Sequence, residues 1–431
     1  MCGHMLMSCS HGRSHRFRWV VCQLDVLRHC FPPSVRRVLR ELPKGLDGTY
    51  ERVLKEIRMA NRTHAHRLLQ CLVVAVRPLR VEELAEVLAF DFDVQGTPKL
   101  NPDWRWENEE EAVLSACSSL VVVVNHGRSQ RVVRFAHFSV KEFLTSKRLA
   151  ESDSDVSRYY IRRQPAHLVL ARACIGVLLQ LDHDIDEDRI KNFPLARYAA
   201  EHWAVHARFG RVSSRIREGM RRLFDSERPH FAAWLWIYNP DRFGRTFGTR
   251  PGQPEARPLY YAARFGFHHL VKYLLIKYPR DANARGGWDG TPLHAALSKG
   301  HMEVSSLLIK NGADVNIQDI WNGTPLHYAS KRGQAEIGRW LLDRGADANA
   351  RNGSGWTALH LAAIYGRAEI ARVLCEQEAE VDARGDHGRT PLHLASANGR
   401  VEVVRVLLEH GADVDGRDDW GRTAGDVAAG E

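Results

Sequence analysis

Four histidines, His294, His327, His360 and His393, each stand three residues after a threonine and follow one another at intervals of 33 residues. Imidazole is a common zinc and copper ligand, but one ion needs its ligands to converge on a single point at about 2 Å. A fixed 33-residue interval instead places one histidine in each layer of a stack, which favours hydrogen bonds between layers over a metal centre. His137 and Ser139 have the residue types of a base and a nucleophile. Their neighbours Phe135, Phe138, Val140, Phe143 and Leu144 read instead as the core of a strand-to-helix corner. There Ser139 is the expected N-cap of a helix from Val140 to Ser146, with Glu142 completing a capping box. No glycine is followed directly by lysine, so the phosphate-cradling loop of nucleotide-binding proteins is absent. Neither Gly-x-Ser-x-Gly nor His-Glu-x-x-His occurs. The expectation is a chain with no catalytic, cofactor or metal residues, and not an enzyme.

The elements that carry the four histidines form a repeat. Thr-Pro-Leu-His stands at 291–294, 324–327 and 390–393, and Thr-Ala-Leu-His at 357–360. A decayed copy precedes them at Arg257-Pro258-Leu259-Tyr260, and another follows at Thr423-Ala424-Gly425-Asp426. Threonine is a good N-cap and proline fits the first helical position, where no N–H is needed. Gly300, Gly333, Gly366 and Gly399 are expected to close each first helix in the left-handed conformation. A second apolar helix follows in every unit, and Gly312-Ala313-Asp314, Gly345-Ala346-Asp347 and Gly411-Ala412-Asp413 then turn the chain into a finger. Two residues break the pattern: Glu378 stands where its sister units have glycine, and Tyr278-Pro279-Arg280 adds one residue.

This segment resembles the ankyrin repeat over roughly residues 253–431, and the resemblance implies an α-solenoid with β-hairpin fingers that grips a protein partner. At the expected finger tips, Trp288, Trp321 and Trp420 lie three residues before the threonine, His387 shares their register, and Trp356 is shifted by two. Six residues before the threonine stand Arg285, Arg351, Arg384 and Arg417, with Gln318 interrupting the column. Tryptophan and arginine dominate binding hot spots, so this ridge is the candidate partner surface. The competing reading is that the rings stack on neighbouring fingers while the arginines are merely solvated.

The front half reads as helices, then a hairpin, then more helices. Asp47 and Thr49 look like cap signals for a first helix, and Leu68 to Val73, Val81 to Leu88 and Glu109 to Cys117 give three more. Leu120 to Asn125 and Val132 to Ala136 pair as a β-hairpin. The phrases Leu42-Pro43-Lys44-Gly45-Leu46-Asp47-Gly48-Thr49-Tyr50, Arg77-Pro78-Leu79, Cys117-Ser118-Ser119-Leu120-Val121 and His137-Phe138-Ser139-Val140-Lys141-Glu142-Phe143-Leu144 resemble the GPI inositol-deacylase-type winged-helix segment of fungal NACHT–ankyrin proteins. Phe17 to Leu24 resembles the end of a NACHT module. The expected layout is a NACHT remnant over 1–44, a winged helix over 45–150, a helical connector and linker over 151–250, and about five ankyrin repeats plus a partial one over 251–431. Trp234 and Trp236 belong to the connector core in this reading.

The overall charge of +9 is unevenly placed: residues 251–431 carry 21 Lys/Arg against 23 Asp/Glu, and the first 250 carry 40 against 29. A basic run of Arg208, Arg211, Arg215, Arg217, Arg221 and Arg222 invites nucleic acid. However, the candidate recognition helix opens with Glu107, Glu109, Glu110 and Glu111, which a phosphate-facing helix should not carry. No run reaches the roughly 18 apolar residues of a membrane helix, and Met1 to His15 lacks the apolar core of a signal peptide. Eight scattered cysteines suit reduced thiols in the cytoplasm or nucleus. The leading expectation is a non-enzymatic scaffold, adaptor or sensor with a protein partner, no membrane, and no nucleotide bound by this chain. The alternative is the C-terminal part of a NACHT signalling NTPase whose nucleotide-binding domain precedes this sequence. A winged-helix nucleic-acid-binding regulator is the third reading.

Overall fold

The computed structural model describes residues 45–94, 96–127, 130–152, 155–241 and 252–430. The NACHT remnant expected over 1–44 and most of the linker up to Gly252 lie outside the described residues. The chain divides into two compact units. One comprises residues up to 223 with 233–240, and the other comprises 224–232, 241 and the chain from 252 on.

In the first unit, α1 (Leu46–Glu56) buries Tyr50, Val53 and Leu54, and α2 (Arg62–Val74) buries Leu68, Leu69 and Cys71. Gly45 holds the N-cap position of α1, so Asp47 and Thr49 lie inside the first turn and do not cap it; the Thr49 hydroxyl donates back to the Gly45 carbonyl at 2.9 Å. Next come α3 (Val81–Glu86), the short antiparallel pair β1 (Phe90–Asp91) and β2 (Lys99–Leu100), and α4 (Glu109–Cys117). The hairpin β3 (Val121–His126) and β4 (Gln130–Phe135) follows, in a register that pairs Val121 with Phe135 and Val124 with Val132. Arg80 bridges to Val132, and the Val133 N–H donates to the Leu79 carbonyl, so the segment before α3 forms a third edge of this sheet. Three-helix packing against such a small sheet is the winged-helix layout.

Buried charge fixes the segment 77–86. Glu83 is fully buried and takes both Arg77 guanidinium nitrogens at 2.7 Å, as well as Arg80 Nε at 2.9 Å. Glu86 accepts the Leu195 N–H and an Arg105 nitrogen, and burial still pushes its carboxyl up to about 6.

The helices α5 (Phe138–Leu144), α6 (Lys147–Ala150), α7 (Arg163–Leu178) and α8 (Ala196–Ala207) complete this unit's main core. Trp234 and Trp236 are buried there as expected, and the Trp234 indole N–H donates to the Ala200 carbonyl at 2.9 Å. Of the arginine run, Arg215 lies in a short helix Val212–Arg215 and Arg217, Arg221 and Arg222 in another, Arg217–Leu223, while Arg208 and Arg211 stand at helix caps. Among the described residues no helix is long and apolar enough to cross a membrane.

The second unit is an α-solenoid. Its inner helices are Pro258–Phe265, Pro292–Lys299, Pro325–Arg332, Ala358–Ile364, Pro391–Ala397 and the terminal Ala424–Gly430. The outer helices are His268–Lys277, Met302–Lys310, Ala335–Leu342, Ala368–Glu376 and Val401–Glu409. Leu293, Leu326, Leu359 and Leu392 are buried at one register on the inner helices, as are Leu308, Leu341, Leu374 and Leu407 on the outer ones. Each layer therefore buries its apolar stripe on the next. Gly300, Gly333, Gly366 and Gly399 have φ of 78°, 73°, 65° and 62°, the left-handed stop that the sequence required. The extra residue at Tyr278 leads into a 3-10 turn, Pro279–Asn283. That insertion is anchored, because Asp225 accepts from the Tyr278 hydroxyl at 2.8 Å and from Lys277 at 2.9 Å.

Candidate protein-binding surface

The surface begins with how each inner helix starts. In every full repeat the histidine Nδ1 accepts the threonine hydroxyl at 2.8 Å and the threonine N–H at 3.1–3.3 Å. That fixes the proton on Nε2, which donates across the layer to the carbonyls of Gly323, Trp356, Arg389 and Arg422 at 2.9–3.1 Å. Both ring nitrogens are consumed, so each imidazole acts as a strut holding the root of the next finger. All four are buried. Burial pushes His294 and His360 down to about 4 and lowers His327. The two outer copies vary the theme. Tyr260 accepts the Asp289 N–H at 3.0 Å in the first, and in the last Asp426 accepts the Thr423 N–H at 2.9 Å but, as a carboxylate, has no N–H to donate across a layer.

The fingers are hairpins reduced to their tips. Each is closed by one main-chain bond over five residues, as from Asp319 N–H to the Gly323 carbonyl and from Asp418 N–H to the Arg422 carbonyl, both at 2.9 Å. An Asx side chain builds the turn: Asp319 Oδ1 accepts from Trp321 and Gly323, Asn352 from Ser354 and Trp356, and Asp418 from Trp420 and Arg422. Sequence reading missed these three residues, although all stand five positions before the threonine. In the fourth finger that position is Gly385, where a Cβ would lie 2.7 Å from the Trp356 ring. In that finger His387 takes a left-handed φ of 58°.

Asp241 was also missed, because it stands in a stretch that reads as linker. It is buried, takes the hydroxyls of Tyr260 and Tyr261 at 3.1 Å and Arg264 Nε at 3.2 Å, and accepts the Trp288 N–H at 3.3 Å. Its carboxylate therefore supports the first finger.

The ridge residues fall into two groups. Trp288, Trp321 and Trp420 are exposed by 59%, 45% and 56%. The Trp288 and Trp321 rings pack on each other at 5.4 Å, and His387 packs on Trp420 at 4.8 Å. Trp356 is half-buried. Two arginines tie one finger to the next, Arg351 donating to the Arg384 carbonyl and Arg384 to the Arg417 carbonyl at 2.8 Å, while Arg351 to Gly355 and Arg417 to Gly421 at 2.6 Å close their own fingers. Arg285 is exposed at the first finger, beside the interruption at Gln318. The Trp288 and Trp321 rings overlook a cleft of about 430 Å³ between the fingers and the inner helices of the second to fourth repeats. Its lining includes Trp288, Trp321, Tyr328, Trp356 and Tyr365.

His137 and Ser139 in the first unit make a similar arrangement to the repeat struts. His137 is the N-cap of α5, and its Nδ1 takes the Ser139 hydroxyl at 2.6 Å and the Ser139 N–H at 3.3 Å. Ser139 is thus not the cap that the sequence suggested, because His137 offers a side-chain acceptor two residues earlier. Its hydroxyl is buried and bonded to Tyr50 at 2.8 Å, which pins α1 to α5. His206 is likewise buried between Tyr198 at 2.8 Å and His167 at 2.9 Å. Cys71, Cys117 and Cys174 are buried, and burial pushes Cys71 and Cys117 up to about 12. Such thiols stay protonated.

Comparison with known proteins agrees with this geometry. The ankyrin-repeat family model matches at residues 259–352 and 345–418, and the GPI inositol-deacylase winged-helix model matches residues 50–157. The chain is 34% identical over 285 residues to the azaphilone pigments biosynthesis cluster protein L of Monascus ruber. It is 29% identical over 131 residues to the vegetative incompatibility protein HET-E-1 of Podospora anserina. These matches span 62% and 30% of this chain, but only 59% and 9% of the two relatives. The chain carries a winged-helix domain of the GPI inositol-deacylase type, followed by ankyrin repeats.

Proposed function

We propose that the chain is a non-enzymatic protein-interaction module whose fingers and inner helices hold a protein partner. The observation that carries this reading is the exposure of Trp288 and Trp321 over an aromatic-lined cleft, on fingers held by Asp241 and Tyr260 at the first and by His294 and Asp319 at the second. A rigid aromatic surface loses little freedom on binding. The test is affinity capture by the full chain from an extract of the organism that makes it, beside the Trp288→Ala/Trp321→Ala/Trp420→Ala variant. The expected result is a partner retained by the wild-type chain and lost by the variant at equal thermal stability. Equal retention by both chains contradicts the reading.

A second reading is favoured by the match to HET-E-1 together with the winged-helix domain, which resembles the segment joining NACHT and ankyrin regions. Here the chain is the sensing or output part of a signalling NTPase. Full-length transcript sequencing tests it. An in-frame upstream phosphate-binding loop supports this reading, and a start at Met1 removes it.

A further inference from the structure

The cleft that this proposed function uses is electrostatically one-sided. Its wall carries Lys299, Lys331 and Arg332, all exposed. Among the described residues none of the three has a carboxylate within ion-pair distance. Arg332 donates only to the Ser298 carbonyl, and Lys331 lies 5.4 Å over the Tyr365 ring. The two acids in the lining have other close partners, although Asp289 also attracts Lys299 from beyond ion-pair distance. Asp289 pairs with buried Arg264, while Asp319 accepts from two main-chain N–H groups and from the Tyr328 hydroxyl at 2.6 Å.

Cations at helix C-termini have a local use, since they offset the helix dipole. The next two inner helices nevertheless end in Ile364-Tyr365 and Ala397-Asn398, so the stack does not need them. The three unpaired cations thus gather beside the paired tryptophans, in a stretch that carries more Asp/Glu than Lys/Arg overall.

Resting on the protein-binding reading, we propose that the cleft takes an acidic segment of a partner protein, with a large apolar side chain between Asp or Glu residues. The apolar side chain enters among Trp288, Trp321 and Tyr328, and the flanking carboxylates meet Lys299, Lys331 and Arg332. A volume of about 430 Å³ suits such an anchor, since side-chain and small-ligand pockets run from about 300 to 1,000 Å³. A single-stranded nucleic acid fits less well. The Trp288 and Trp321 rings are tilted by 56° against each other and offer no flat stacking platform, and three cations make a short track for a phosphate backbone.

The experiment is selection of a random-peptide display library on the full chain and, in parallel, on the Lys299→Glu/Lys331→Glu variant. Neither ammonium caps a described carbonyl, so the variant should fold, and equal thermal unfolding checks this. The proposal expects enriched peptides with net negative charge around Trp, Phe or Leu. Their synthetic copies should bind the variant at least about tenfold more weakly and lose affinity as salt rises. Neutral or basic enriched peptides, acidic peptides indifferent to the charge reversal, or no enrichment over the variant each overturn it. So does a labelled 15-residue oligothymidine that outcompetes the peptides, or a dimer of the full chain abolished by the same substitutions. Non-acidic peptides that still require Trp288 and Trp321 leave the protein-binding surface standing and overturn only its charge preference. Binders indifferent to both sets of substitutions remove both.

Discussion

Glu378 shows how a single residue departs from the repeat. It holds a φ of 59° where sister units place Gly312, Gly345 and Gly411 at 84°, 82° and 83°. A side chain in that region costs about 1–2 kcal/mol. Glu378→Gly should therefore raise the stability of the repeat unit by about 1 kcal/mol, read from the midpoint of urea unfolding; an unchanged or lower midpoint contradicts it. Gly385 is constrained in the opposite sense. Gly385→Asn supplies the Asx anchor of the second, third and fifth fingers but drives a Cβ into the Trp356 ring. It should destabilise the wild-type chain and cost less in a Trp356→Gly background, so a double-mutant cycle showing no coupling would refute the steric account. Sequence made the threonine, histidine and glycine roles legible because each has one favoured local geometry. It did not show that the arginine column bonds across fingers, because 33-residue spacing leaves the direction of a long side chain open. Nor did it show His137 as a cap, since histidine is outside the usual capping set.

At the scale of elements, the solenoid is held by ladders that run from layer to layer. Asn283 accepts the Asp314 N–H at 2.7 Å and donates to the Gly312 carbonyl at 3.1 Å; Asn316 repeats this with Asp347 and Gly345. Asp382 keeps the acceptor half toward the Asp413 N–H at 3.0 Å but has no donor to offer. Asp382→Asn should add roughly 0.5–1.5 kcal/mol, visible as slower exchange of the neighbouring amides. The histidine ladder makes the repeats acid-sensitive. His294 and His360 are held near 4, below the ordinary 6.5, so the unfolded chain binds protons that the folded chain refuses. This contribution is intact above pH 6.5 and is lost as pH falls from 6.5 toward 4. Exchange protection of residues 291–300 and 357–366, corrected for intrinsic rate, should fall between pH 7 and pH 5. Constant or rising protection contradicts the assigned tautomers. The winged helix was legible as helices and a hairpin because its apolar periods are plain. The buried Glu83 and Glu86 were not, since their partners come from segments remote in sequence.

For the whole molecule, no part of the account requires catalysis; it requires a fixed surface and something to hold. The repeat period and the finger register marked the residues of the proposed surface, but not their exposure or the cleft beneath them, which depend on how successive turns stack. The most direct measurement is hydrogen exchange of the full chain with and without a captured partner. The account predicts protection on binding at residues 285–290, 318–323 and 351–356 and along the inner helices Pro292–Lys299 and Pro325–Arg332. Protection confined to the outer helices Met302–Lys310 and Ala335–Leu342, or to residues before 223, would contradict it.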